Sequence, residues 1–146
     1  MSLEINQAVT VPGALQASTK TKVLDGDNKV MCTSCGDNSR ATKCIALHRT
    51  LRVLQLHLKR LEISEGGGST KIVHHVTFPE SLDVSAFMSQ CKEYSKSTLA
   101  YTLYAVIVHT GPSTRGGHYL AYVKDSNGER FEMNDHKVSL VSLTEV

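Results

Sequence analysis

The chain has 146 residues, of which 40% are apolar and 21% charged, and its formal net charge of +2 gives an isoelectric point near 8.4. This length suits one compact domain, and the absence of a basic stripe argues against a nucleic-acid partner. The longest apolar run, residues 99–108, spans ten residues, whereas a membrane-spanning helix needs about 20, so no membrane partner is predicted.

The N-terminal half predicts short strands separated by polar segments. Residues 1–5 predict a strand, Pro12-Gly13 predicts a break, and residues 14–24 show a weak helical pattern. Further strands are predicted over 43–47 and 51–63, and the leucines of the second alternate with polar residues. This alternation is typical of a strand with one buried face.

The C-terminal half begins with a glycine-rich loop over 64–70, followed by a predicted strand over 72–77 and a short helix over 85–93. Residues 99–109 are apolar throughout, which predicts a central strand buried on both faces. A final strand is predicted over 138–143.

The clearest chemical pattern lies in a hairpin near the C-terminus. Asp125-Ser126-Asn127-Gly128 predicts a tight turn between strands 119–124 and 129–134. His118 precedes the first strand after Gly116-Gly117, and Asn134-Asp135 end the second, so we expect these side chains at the open end of one hairpin. A catalytic imidazole needs such a neighbour, because a bond to one ring nitrogen fixes the ring plane and the tautomer. Taken alone, the pattern is more typical of an inert loop histidine beside a polar turn.

The wider context resembles the ubiquitin-specific proteases, a family of papain-like cysteine proteases that cleave after the C-terminal glycine of ubiquitin. The similarity covers nearly the whole chain in family order, from a first strand and a finger knuckle to a histidine box. The segments that resemble the family are 1–5, 24–35, Leu54-Gln55-Leu56-His57-Leu58-Lys59-Arg60, Phe78-Pro79-Glu80-Ser81-Leu82-Asp83-Val84, 101–111, 117–124 and 131–139.

This resemblance implies an α+β papain-like fold, with a mostly antiparallel sheet (the palm) and part of a zinc-finger-like fingers region. Residues 1–146 would form a partial catalytic domain from which the N-terminal thumb helices and the cysteine box are absent. It also implies that His118 is the general base and acid, that Asn134 orients it, and that the adjacent Asp135 assists. Gly117 and Tyr119 would line the channel for the ubiquitin tail.

The four cysteines occur without a visible secretory signal, which predicts a reducing compartment, cytoplasmic or nuclear. Cys32-Thr33-Ser34-Cys35 has the spacing of a zinc knuckle, in which one tight turn supplies two thiolates. It is interpreted as half of a family zinc site, and a metal-free pair remains open. Cys44 and Cys91 lack the electropositive helix N-terminus that activates a nucleophile, so both are interpreted as structural thiols.

Three functions remain open from the sequence. The first is a thiol-dependent deubiquitinase, present here as the half that contains His118 and Asn134 but lacks the nucleophilic cysteine. The second is an inactive ubiquitin-binding or scaffold module, which the absent nucleophile favours. The third is a zinc-ribbon interaction domain supported by the remaining strands. The first two imply ubiquitin or ubiquitinated proteins as partners.

Overall fold

The computed structural model describes residues 1–49, 51–63, 69–89, 99–113 and 116–142. Their secondary structure is one α-helix, α1 (Val11–Thr19), with short 3-10 turns at Gly26–Asn28 and Ser85–Phe87 and a series of strands. The strands are β1 (Ser2–Glu4), β2 (Lys22–Leu24), β3 (Val30–Met31), β4 (Asn38–Ser39), β5 (Ala41–Lys43), β6 (His57–Lys59), β7 (Leu61–Ile63), β8 (Ser69–Lys71), β9 (Ser81–Asp83), β10 (Ala100–Thr102), β11 (Ala105–Ser113), β12 (Gly116–Lys124), β13 (Arg130–Asn134) and β14 (Lys137–Val141).

The largest sheet contains the C-terminal strands in the order β11-β12-β13-β14, and every neighbouring pair in it is antiparallel. The other strands form two-stranded ribbons, of which β1-β6 is parallel and β2-β5, β3-β4, β7-β8 and β10-β9 are antiparallel. The predicted α+β class with a mostly antiparallel sheet is therefore confirmed.

The buried core lies around α1 rather than around the large sheet. Leu3, Ile5, Ala14 and Leu15 are fully buried, and Val11 and Val76 join them. Full burial of a leucine or isoleucine side chain stabilises a fold by roughly 1.5–3 kcal/mol. The core therefore joins the N-terminal strand and helix to the segment that follows β8.

Helix α1 corrects the prediction for the N-terminal segment, because Pro12-Gly13 begins the helix instead of interrupting the chain. Thr10 caps the helix, and its Oγ1 accepts a hydrogen bond from the Gly13 amide at 3.0 Å. Pro12 lies in the first turn, where its missing N–H has no partner to lose. The helix begins three residues before the predicted start and ends at Thr19.

The predicted central strand over 99–109 is also wrong in two respects. It is divided between β10 and β11 at Leu103-Tyr104, and β11 is an edge strand of its sheet. Its apolar run is not buried on both faces, since Ile107 is 71% exposed.

Three other predicted elements are shorter or displaced. Of the strand predicted over 43–47, only Lys43 lies in a strand, as the last residue of β5. The strand predicted over 72–77 is wrong, because β8 ends at Lys71 and β9 begins at Ser81. The strand predicted over 51–63 begins only at His57 and is interrupted at Arg60, although its leucines at 54, 56 and 58 are the less exposed residues, as predicted. In its described part the predicted helix over 85–93 is only the 3-10 turn Ser85–Phe87, and the predicted loop over 64–70 overlaps β8, which begins at Ser69. Residues 64–68 and 90–93, including Cys91, lie outside the described residues.

Candidate active site

The hairpin β12–β13 brings His118 and Asn134 onto one face of the sheet. Ala121 lies opposite Met133 in the ladder, and continuing this register places Leu120 opposite Asn134. Successive side chains in a strand alternate between faces, so His118 shares a face with Leu120 and is the diagonal neighbour of Asn134. Diagonal neighbours are close enough for long side chains to meet across the strands.

The two side chains form a direct hydrogen bond. His118 Nε2 lies 2.5 Å from Asn134 Oδ1. Because an amide oxygen only accepts, the imidazole proton lies on Nε2, and Nδ1 of the neutral ring carries the free lone pair. Among the described residues, none hydrogen-bonds to Nδ1. His118 is exposed, so this nitrogen is open to a reacting partner.

Asn134 is held in place by the turn that follows it. Asn134 pairs with Lys137 across the β13–β14 hairpin, which leaves Asp135 and His136 as a two-residue loop. Asp135 has φ of 52°, and it is the only non-glycine residue with positive φ in the described part of the chain. Asp tolerates this left-handed conformation better than most residues. Asp135 is therefore a turn residue here, and within the described residues no hydrogen bond joins its carboxylate to His118.

Gly117 and Tyr119 flank His118 along β12. Gly117 has φ of +154°, and an added Cβ would lie 2.3 Å from both His109 Nε2 and Thr110 O. Tyr119 is 66% exposed, and its ring lies 4.7 Å from the ring of His109. The site residues predicted from the sequence therefore lie together at one end of the sheet.

Lys71 and His109 are contacts of this site that the sequence did not indicate as functional. Lys71 Nζ lies 3.2 Å from His109 Nδ1, 3.0 Å from His109 O and 2.8 Å from Gly111 O. No local pattern marks Lys71, because its partners are 38 and 40 residues away along the chain.

The opposite end of the sheet carries a cleft of about 290 Å³ with a cluster of charges. Glu80 Oε1 there accepts hydrogen bonds from Lys124 Nζ at 2.5 Å and from Arg130 Nη2 at 2.8 Å. The hydrogen bond and the charge of Lys124, together with the charge of Arg130, lower the pKa of the Glu80 carboxyl below its usual value. His118 does not line this cleft, so the cleft and the pair of His118 and Asn134 lie at different ends of the sheet.

The segment from Cys32 to Gly36 forms a tight turn that carries two cysteines. The Gly36 amide donates to Cys32 O at 2.8 Å, and Gly36 has φ of +75°, which closes a tight turn around both cysteines. The backbone amides of Cys35 and then Ser34, with the Cys35 thiol, lower the pKa of Cys32. Two such thiols fit two positions of a tetrahedral zinc ion. No group of three or more potential ligands occurs among the described residues.

The described cysteines are separate from the His118 site. Cys32 and Cys35 lie on the loop of the β3–β4 ribbon, and Cys44 follows β5, neither of which is hydrogen-bonded to the four-stranded sheet. None of the three is hydrogen-bonded to His118. Across the part of the chain that the structure describes, no helix is long and apolar enough to cross a membrane.

Comparison with known proteins gives consistent matches over the whole chain. The family described as "Ubiquitin carboxyl-terminal hydrolase" matches residues 14–146. Human ubiquitin carboxyl-terminal hydrolase 42 is 40% identical over 146 residues, which are 100% of this chain and 11% of the relative. Human ubiquitin carboxyl-terminal hydrolase 17 is 38% identical, with 100% of this chain and 26% of the relative covered.

Solved structures agree with the sequence matches. A chain in the SAGA Ubp8/Sgf11/Sus1/Sgf73 DUB module bound to ubiquitin aldehyde is 31% identical, with a TM-score of 0.83 over 99% of this chain and 32% of that one. A variant of the same module bound to monoubiquitin gives 30% identity and a TM-score of 0.85, covering 99% of this chain and 31% of that one. The chain thus spans between a tenth and a third of the length of these relatives.

Proposed function

The chain belongs to the ubiquitin carboxyl-terminal hydrolase family, with the papain-like fold of its ubiquitin-specific members, and on this basis we propose that it supplies the histidine half of a thiol-dependent deubiquitinase site. The observation that carries the proposal is the 2.5 Å contact between His118 Nε2 and Asn134 Oδ1. It leaves Nδ1 as the basic nitrogen, directed away from the amide. An orienting amide and a free second nitrogen are what a cysteine nucleophile requires of its base.

In the proposed reaction, His118 Nδ1 takes the proton of a cysteine thiol, and the resulting thiolate attacks the carbonyl carbon of the ubiquitin C-terminal glycine. The imidazolium then returns the proton to the departing amine as the bond from carbon to nitrogen breaks, which leaves a thioester. Water, deprotonated by His118, hydrolyses the thioester and regenerates the thiol. In this proposal Cys32, Cys35 and Cys44 are not the nucleophile, since none of these described cysteines is hydrogen-bonded to His118.

Asn134 holds the imidazole plane during both proton transfers. Because its side chain is an amide rather than a carboxylate, it fixes orientation without adding charge. Asp135 would contribute a negative charge next to the imidazolium, and its position in the turn supports an indirect effect rather than a hydrogen bond. Gly117 and the exposed Tyr119 would border the channel for the ubiquitin tail next to His118, Gly117 through its backbone and Tyr119 from the opposite face of β12.

Hydrolysis of ubiquitin carrying a fluorogenic C-terminal amide, measured on the complete natural protein, tests this proposal. We expect turnover in the wild type, its loss in His118→Gln and its retention in His57→Gln, which alters an exposed histidine on β6. The alternative, a ubiquitin-binding module without catalysis, predicts binding of labelled ubiquitin but no turnover in the wild type. Turnover that persists in His118→Gln would contradict the catalytic assignment.

We further propose that Cys32 and Cys35 supply two thiolates to a structural zinc ion. The turn geometry and the lowered pKa of Cys32 support this, since a thiol must lose its proton to bind the metal. Native mass spectrometry of the complete protein would show one zinc ion that is lost in Cys35→Ser. A wild-type protein without zinc would leave the metal-free pair as the correct interpretation.

A further inference from the structure

Lys71 makes an unusual set of contacts next to the proposed site. A lysine ammonium has three N–H donors and no acceptor, and here three acceptors lie within 3.2 Å of it. Two are backbone carbonyl oxygens, of His109 and Gly111, and the third is the Nδ1 atom of His109. Lys71 is also half-buried. Its hydrogen-bonding capacity is therefore committed to the protein rather than to a ligand.

The carbonyls that Lys71 binds belong to the irregular end of β11. The pairing of β11 with β12 shifts register between Thr110 and Ser113, so this segment does not continue the regular ladder. Gly111 has φ of +141°, and an added Cβ would lie 2.9 Å from Gly116 O and from Gly117 Cα. The backbone at Gly111 is thus in direct contact with the glycine pair that precedes His118. Fixing Gly111 also restricts that pair.

His109 provides a second connection from Lys71 to the same segment. Since the ammonium can only donate, His109 Nδ1 is the acceptor, and the neutral ring carries its proton on Nε2. The Nε2 edge lies over Gly117, where an added Cβ would be 2.3 Å away, and the ring also packs against Tyr119 at 4.7 Å between centroids. His109 therefore contacts the residues on both sides of His118.

These contacts lie on the face of the sheet opposite the His118 side chain. His118 pairs with Thr110 and His109 pairs with Tyr119, and side chains alternate between faces along each strand. Lys71 and His109 thus lie on the face of the sheet opposite the His118 side chain, where they do not compete for His118 Nδ1 or for Asn134.

We propose that Lys71 is a positioning residue for His118, which acts through the backbone of Gly111 and the ring of His109 to hold the start of β12 in its reactive geometry. The catalytic part of this inference rests on the proposed deubiquitinase function, whereas the positioning part does not. A displacement of about 1 Å in a reacting group can cost on the order of 100-fold in rate. Loss of the ammonium is therefore expected to appear in kcat rather than in KM.

Three variants of the complete natural protein test the inference. Lys71→Met keeps the aliphatic stem but removes all three donors, and Lys71→Arg keeps donors at a similar reach. Lys59→Met is the matched control, because Lys59 is also a strand lysine, and among the described residues its ammonium hydrogen-bonds to Glu4 alone, at 2.5 Å. We expect Lys71→Met to lower kcat by about 10- to 100-fold with KM little changed, Lys71→Arg to recover part of this loss, and Lys59→Met to match the wild type.

Amide hydrogen exchange at Gly116, Gly117 and His118 provides a measurement that does not require turnover. We expect exchange in Lys71→Met to be at least about tenfold faster at these amides, because a broken hydrogen-bond set lowers the cost of local opening. Exchange at the core amides of Leu3 and Ile5 should stay unchanged.

The outcomes separate the two proposals. A wild type without hydrolytic activity would refute the proposed function. The hydrogen-exchange data by themselves would then decide whether Lys71 positions the start of β12. Unchanged exchange and unchanged kcat in Lys71→Met would overturn the positioning role. Equally accelerated exchange at Leu3 and Ile5 would overturn it as well, because Lys71 would then be a general stabilising residue.

Discussion

Removing the side-chain amide of Asn134 tests the central geometry of the site. Asn134→Ala eliminates the 2.5 Å contact to His118 Nε2 and leaves the backbone pairing of Asn134 with Lys137 in place. During the reaction the ring becomes an imidazolium, and a hydrogen bond to a charged group is worth about 1.5–3 kcal/mol. Since each 1.36 kcal/mol corresponds to a factor of ten in rate, we expect a loss of about 10- to 150-fold.

The exposure of the site places the expected value near the lower limit. His118 is exposed and Asn134 is half-buried, so water can replace the amide as a hydrogen-bond acceptor but cannot fix the ring plane. The loss should therefore be near tenfold in kcat, with the KM for ubiquitin substrate little changed.

The assay is steady-state hydrolysis of a fluorogenic ubiquitin substrate by the complete natural protein. Asn134→Asp preserves an acceptor oxygen at the same position and should retain most of the activity. Asn127→Ala is the matched control, because Asn127 lies in the distal turn of the same hairpin and, within the described part of the chain, its side chain hydrogen-bonds to Asp125 alone. If Asn134→Ala folds normally and keeps the wild-type kcat, the hydrogen bond does not orient His118 and the reasoning is wrong.

Three other perturbations test further contacts in the structure. Gly117→Ala should lower the unfolding temperature and abolish turnover, since backbone strain of this kind costs about 1–3 kcal/mol and the new Cβ would lie 2.3 Å from Thr110 O. Gly116→Ala is the control, because its Cβ would meet nothing within 4 Å. Equal unfolding temperatures of the two variants would contradict the requirement for glycine at position 117. The pKa of Glu80 is lowered in the folded state by Lys124 and Arg130, so its stabilising contribution is present above the ordinary value of 4.5 and is lost as the pH falls through the lowered pKa. The difference in unfolding temperature between wild type and Glu80→Gln should thus be largest above pH 4.5 and shrink on further acidification, and a difference independent of pH would argue against the ion cluster. In metal-free protein at neutral pH, iodoacetamide should modify Cys32 faster than Cys44, because backbone amides of Cys35 and Ser34 lower the pKa of Cys32. Mass spectrometry of the modified peptides measures both rates. Equal rates would show that the thiolate form of Cys32 is not favoured.

The hairpin that carries the site was predictable from the sequence. Asp125-Ser126-Asn127-Gly128 has the residues that a tight turn requires, and Asp125 Oδ1 accepts hydrogen bonds from the amides of Asn127 and Glu129 at 2.8 and 2.9 Å. Once the turn is placed, the two-residue period of a strand determines that His118 and Asn134 face the same side. Both signals depend on residues close together in the chain.

The register of the strands and the position of the helix were less predictable. The prediction of a break at Pro12-Gly13 failed because the same dipeptide also suits the first turn of a helix, and only the packing of Ala14 and Leu15 against Leu3 and Ile5 selects the helix. The apolar strand over 99–109 was expected in the middle of a sheet, but the pairing order places β11 at an edge. The apolar content of a strand does not determine which other strands it pairs with.

The sequence alone thus determined the family resemblance and the α+β class. It also determined the pairing of a histidine with an amide, because turn chemistry and side-chain alternation are local properties. The tertiary structure decided how that histidine is supported. Lys71 reaches His109 and Gly111 across 38 and 40 residues, and the glycine at position 117 is required by a ring that packs on it from the next strand. Contacts over such separations depend on the folded arrangement of whole strands, so no local pattern around Lys71 could have indicated them.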